Sequence, residues 1–95
     1  MELNVVYIEN KPVMNCVLAV VTGLSNPNTQ EITLKARGRA ISTSIDAAEI
    51  AKRKIVKGLE VSKIATGTEE IQEEGGKRAV STIEITLTRQ KPPTS

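Results

Sequence analysis

The chain has 95 residues, 39% of them hydrophobic, and a formal net charge of +2 from 13 basic and 11 acidic side chains. That length suits one domain with a modest core, and so even a charge balance leaves position, not amount, to decide whether the cations meet an anionic partner. The lack of histidine removes the commonest general base and metal ligand, and the single cysteine, Cys16, excludes an internal disulfide and fits a reducing cytoplasm.

LNVVYI, residues 3–8, is short and rich in β-branched side chains, so it reads as a buried first strand. Tyr7 within it is the only aromatic of the chain, and core packing is the expected role for it rather than stacking on a base. The core must otherwise be aliphatic, and a small aliphatic core gains from association between chains. MELNVVYIENK has no basic segment leading into a long apolar run, so no signal peptide is expected. The longest apolar run, CVLAVV, is too short to span a bilayer, and the expected setting is cytoplasmic, with no membrane partner.

Pro12 suits the opening of a helix. Val13, Met14, Val17, Leu18, Val21 and Leu24 then fall at helical spacing, with Cys16 read as a small buried apolar residue. SNPNT is a turn cluster, and EITLKA, 31–36, alternates as a second strand. From Ile41 the period is helical again, with Ile41, Ile45, Ala48 and Ile55 as its stripe. Thr43 or Ser44 is the expected cap, Asp46 and Glu49 the early acids, and Lys52, Arg53, Lys54 and Lys57 the late bases, an order that suits the helix dipole. Gly58 is placed as the helix stop. LEVSKIATGTEEIQEE and KRAVSTIEITLTRQ flank Gly75-Gly76 and pair as a long hairpin. Ile83, Ile85 and Leu87 give its base one buried face, while Thr66, Gly67, Glu69, Glu70 and Lys77 are too polar to be packed, so the tip is expected to project. The domain spans 1–90, and the tail 91–95 reads as disordered.

The order is therefore β-α-β-α-β-β, an α/β (α+β) fold. If the first two strands are parallel neighbours, their C-terminal ends share one rim. Lys11-Pro12 and Arg37-Gly38-Arg39 then open the two helices on that rim, where free helix N–H groups favour anions. Gly38 allows close backbone approach and leaves both guanidinium forks uncrowded for phosphate. Charge and spacing alone leave two readings: a nucleic-acid contact, or a solvated corner whose arginines pair with nearby acids.

NKPVMN, KARGRAIS and VSTIEI, in that order and spacing from about Asn4 to Thr88, resemble the signatures of the Alba family of archaeal chromatin proteins. The resemblance implies a homodimer that binds double-stranded DNA, with RNA as a second partner, and a single-domain sandwich with a long projecting hairpin. It implies phosphate contacts from Lys11, Lys35, Arg37, Gly38 and Arg39. It also implies hairpin arms that reach a groove, with Lys77 and Arg78 near their tips. Where the family carries a modifiable lysine, this chain has Asn10, so acetylation at that place is excluded. Glu69, Glu70, Glu73 and Glu74 on the hairpin are expected to repel phosphate and weaken binding. Ile55 stands near the place of a family phenylalanine that helps dimers stack, so cooperative coating of DNA is expected to be reduced.

Asp46 and Glu49 are read as dipole partners rather than a metal or acid–base pair, and Gly75-Gly76 as a turn rather than a phosphate loop. Lys52, Arg53, Lys54 and Lys57 are either a second phosphate patch or a solvated helix end. No cofactor, metal, small-molecule substrate or catalysis is expected. Lacking aromatics for stacking, the chain is not expected to recognise single strands that way. The expected function is that of a chromosome-associated protein that binds double-stranded DNA. The alternatives are an RNA-binding component of a ribonucleoprotein and a protein-interaction module.

Overall fold

The computed structural model describes residues 4–9, 11–26 and 28–89. Strand β1 (Val5–Ile8) leads to helix α1 (Val13–Gly23), strand β2 (Glu31–Arg37) and helix α2 (Ala40–Ile50). A π-helical turn, Ala51–Ile55, follows, and the hairpin strands β3 (Leu59–Glu73) and β4 (Gly76–Arg89) complete the chain. The sheet order is β1-β2-β4-β3, with β1 and β2 parallel and the other pairs antiparallel. Both helices pack on one face of this sheet. Among the described residues no helix is long and apolar enough to cross a membrane. Asn10 and the tail 91–95 lie outside the described residues.

The alternation of β2 and β4 explains the layering. Ile32, Leu34 and Ala36 point into the core with Ile83, Ile85 and Leu87, and all six are buried. They meet Cys16, Val17, Val20 and Leu24 of the first helix and its end, and Ala40, Ala47, Ala48 and Ala51 of the second helix and π turn. The alanines let helix and sheet approach closely. Arg89 ties the end of β4 to the first helix: its guanidinium donates to the Leu24 carbonyl at the helix C-terminus, where a cation is favoured.

Several local expectations are corrected. Tyr7 does not enter the core; it is 65% exposed on the face of the sheet away from the helices. Met14 and Leu18 are exposed as well, because the apolar arc of α1 is wider than the strip that the sheet and α2 cover. Neither Thr43 nor Ser44 caps α2. The cap is Arg39, without a side-chain hydrogen bond, and the buried Ser44 hydroxyl instead donates to the Ile41 carbonyl at 2.6 Å. Asp46 and Glu49 therefore lie beyond the first turn, which holds no acid, and the dipole argument does not reach them. Of the second helix's proposed stripe, Ala48 is buried but Ile45 and Ile55 are exposed.

The second helix does not run uninterrupted to Gly58 either. At its end the Val56 N–H donates to the Ala51 carbonyl at 2.9 Å, an i to i+5 bond. The extended Val56 ends the helix, and Gly58, at φ 79, turns the chain into β3. Such a turn absorbs one residue more than the α-helical repeat allows.

The hairpin is as long as its two arms suggested, pairing from Leu59↔Arg89 to Glu73↔Gly76. Glu74-Gly75 form its tip, and Gly75 supplies a φ of 89 that other residues rarely adopt. The molecule measures 58 × 24 × 20 Å, the long axis reflecting the projecting arm. A bulge at Ser62, between Val61 and Lys63, shifts the register by one residue. Its hydroxyl meets the Thr88 hydroxyl at 2.6 Å. Beyond the bulge Ile64 faces Ile85 across the strands, on the helix side but past the helices, and is 58% exposed.

Leu34 is fully buried in the central strand β2. Leu34→Ala should therefore lower the free energy of unfolding by about 2–5 kcal/mol, seen as an earlier urea midpoint at unchanged slope.

Candidate nucleic-acid interface

Parallel pairing of β1 with β2, in the register Val5↔Thr33 to Ile8↔Ala36, sets the C-terminal ends of both strands on one rim. Lys11 and Pro12 follow the first end, and Gly38 and Arg39 follow the second. Both helices begin there without a capping side chain, and neither has an acid in its first turn. Asn15 N–H and Ile41 N–H close back on the Pro12 and Gly38 carbonyls, and the remaining first-turn amides and the positive ends of the dipoles favour an anion.

The turn between β2 and α2 is pinned by two backbone bonds. Gly38 N–H donates to the Ser81 carbonyl at 2.9 Å, and Ile41 N–H donates to the Gly38 carbonyl at 3.2 Å. Gly38 has φ 60, and a Cβ built there would sit 3.5 Å from Val80 Cγ1, an ordinary contact. Space does not demand glycine at this position. The left-handed backbone does.

The expected cations are not all brought to one spot. Arg37 and Arg39 stand exposed at the rim. Lys35 is half-buried one row further in, on the open face, where β-pairing sets it between Tyr7 and Glu84. Lys77 and Arg78 are near the hairpin tip; Lys77 lies about 17 Å along β4 from Thr82, the partner of Arg37.

Several cations already have carboxylate neighbours. Arg37 Nη1 lies 3.4 Å from Glu69 Oε1, Lys11 Nζ 4.0 Å from Glu9, Lys77 Nζ 4.0 Å from Glu70, and Arg78 Nε 2.6 Å from Glu73. Arg39 and Lys35 form no ion pair among the described residues. The corner thus pairs in part with acids, while Arg39 and Lys35 stay outside those pairs. All four pairs are exposed, where each contributes only about 0.2–1 kcal/mol, so an arriving phosphate can displace them. Three of the four hairpin carboxylates are engaged in this way, which tempers the repulsion expected of them.

Lys52 and Arg53 pair with Glu49, at 3.5 and 2.9 Å, so two members of the second basic group serve the helix end. No cluster of metal-ligating side chains occurs among the described residues, and Cys16 is buried and free. Tyr7 is the residue whose placement sequence reasoning missed. The signal was available: Val6 and Ile8 alternate with Val5 and Tyr7, and two helices on one side of a sheet leave the other face bare.

That bare face is concave. Tyr7, Glu9, Lys35, Arg37, Glu69, Thr82 and Glu84 border a groove of about 420 Å³ between the body and the root of the hairpin.

Comparison with known proteins bears on this geometry. The Alba family model matches residues 4–68. A protein of Picrophilus torridus named DNA/RNA-binding protein Alba is 47% identical over 88 residues, covering 93% of this chain and 98% of that one. Its namesake in Methanoculleus marisnigri is 49% identical over 88 residues, covering 93% and 96%. Among solved structures, Alba from Thermoplasma volcanium superposes with a TM-score of 0.84 at 45% identity, covering 90% of this chain and all of that one.

Because Gly38 is held by its backbone angle and not by crowding, Gly38→Ala should cost about 1–2 kcal/mol of stability. Gly38→Asn should cost less. Equal stability of all three proteins in chemical denaturation would show that the turn does not need the left-handed conformation.

Proposed function

The chain belongs to the Alba family, and we propose that it acts as a homodimeric, chromosome-associated protein that binds double-stranded DNA without catalysing a reaction. The observation that carries this reading is the shared rim. Two helix N-termini without side-chain caps and the cations Lys11, Arg37 and Arg39 stand at or just past the ends of two parallel strands. Arginine forks and helix amides together match phosphate oxygens. The relatives named DNA/RNA-binding protein Alba agree in kind.

Dimerisation is supported by apolar surface that the single chain leaves uncovered. Met14, Leu18, Ile45, Ile55 and Ile64 are all exposed. A second copy that covers part of this set would supply the burial the small core lacks. Light scattering at micromolar concentration should return about twice the chain mass, and a persistent monomer would remove the two-armed arrangement.

In such a dimer Lys11, Arg37 and Arg39 present about six cations to the duplex from the rim, while Lys35 stands apart on the open face. With four to six of them on phosphates, the log–log dependence of affinity on salt should have a slope of roughly −4 to −5, at about −0.9 per contact. Arg37→Ala with Arg39→Ala should weaken binding and make the slope shallower by about 2 to 4 while folding and dimerisation persist. A double variant that binds duplex DNA like the parent sinks the phosphate reading.

A further inference from the structure

Tyr7 is the only aromatic side chain of the protein, and it lies where no core residue would. It stands on the uncovered face of the sheet, in a row that runs Tyr7–Lys35–Glu84–Ala65 across all four strands. Arg37 and Thr82 form the next row towards the rim. The groove over these residues has a volume within the range of small-ligand pockets.

We propose that this open face is a second nucleic-acid site, which takes an unpaired nucleotide of single-stranded RNA with its base stacked on Tyr7. The inference rests on the nucleic-acid-binding reading given above and adds to it a separate surface. A duplex cannot use that surface as this site requires. Its bases are stacked on one another and offer only their edges to the grooves, whereas an aromatic ring on a sheet is a platform for a base face that has lost its neighbour.

The polar groups fit the rest of a nucleotide. Lys35 neighbours Tyr7 by strand pairing, and Arg37 borders the groove on the rim side, so both are placed to hold a flanking phosphate. Glu9, Glu69 and Glu84 also line the groove. Carboxylates accept hydrogen bonds and repel a second phosphate, so they suit exocyclic amines of a base and hydroxyls of a sugar. The 2′-hydroxyl is a donor that DNA lacks, and a groove bordered by three carboxylates favours the strand that has it.

The protein supplies its own probe. With no tryptophan and one tyrosine, its intrinsic fluorescence reports on Tyr7 alone. Titration of the full chain with a short oligouridylate or oligoadenylate should quench that emission. Tyr7→Leu should weaken binding of the labelled oligoribonucleotide by about 5- to 100-fold, the range of a lost base stack, and Tyr7→Phe should restore it. Duplex DNA, titrated in parallel, should bind parent and Tyr7→Leu alike, since the rim and not the open face meets the duplex. Three results would each overturn the proposal: no quenching by RNA, Tyr7→Leu with parental RNA affinity, or equal binding of the matching oligodeoxyribonucleotide. Shielding of Tyr7 from acrylamide in the unliganded protein would also overturn it, by showing that a second copy covers the face. Failure of duplex binding with RNA quenching intact would instead strike the rim reading and leave this one standing.

Discussion

The parallel pairing of β1 with β2 is the constraint on which the rest of the molecule depends. Parallel neighbours cannot be joined by a tight turn, so a crossover helix must lie between them, and α1 is that helix. Its return fixes one face of the sheet as the covered one and brings both strand ends to a single rim. Everything offered to an anion follows from that step. The antiparallel hairpin then adds to the other side of β2 through β4 and so leaves the rim open.

Electrostatics at the rim are balanced between storage and release. Arg37 rests against Glu69 of the hairpin, and Lys11 lies near Glu9, yet these exposed contacts are weak enough to exchange. Arg37 therefore links two parts of the structure that a bound strand would have to part. Arg39 has no such engagement among the described residues and is free to meet an anion first.

Much of this fold was legible because its signals are periodic. The alternation of Ile83, Ile85 and Leu87, the double glycine after Glu74, and the proline before Val13 each pointed to the right element within a residue or two. KARGRAIS was legible as a basic strand-to-helix turn, although Lys35 proved to belong to the sheet face and not to the rim. The misses share a cause. Ser62 and the turn at Ala51–Ile55 each hold one residue outside the regular repeat, and a pattern search has no marker for a single extra residue. Tyr7 was misplaced because a strand's sequence tells which residues share a face but not which face is covered. Helix caps failed for a different reason: Arg39 caps by backbone geometry alone, and side-chain preference is silent there.

Along the hairpin, Val80 separates two kinds of freedom. On the body side of it, Ile83, Ile85 and Leu87 commit β4 to the core. Towards the tip, the last well-buried residue of β4 is Val80, and the strands beyond it support no packing of their own. Residue pairs added or removed out there change the arm's reach by about 3.4 Å each without disturbing any contact in the body. The arm can thus be refitted to partners of different girth over evolutionary time, while the part of the chain that must fold stays the same.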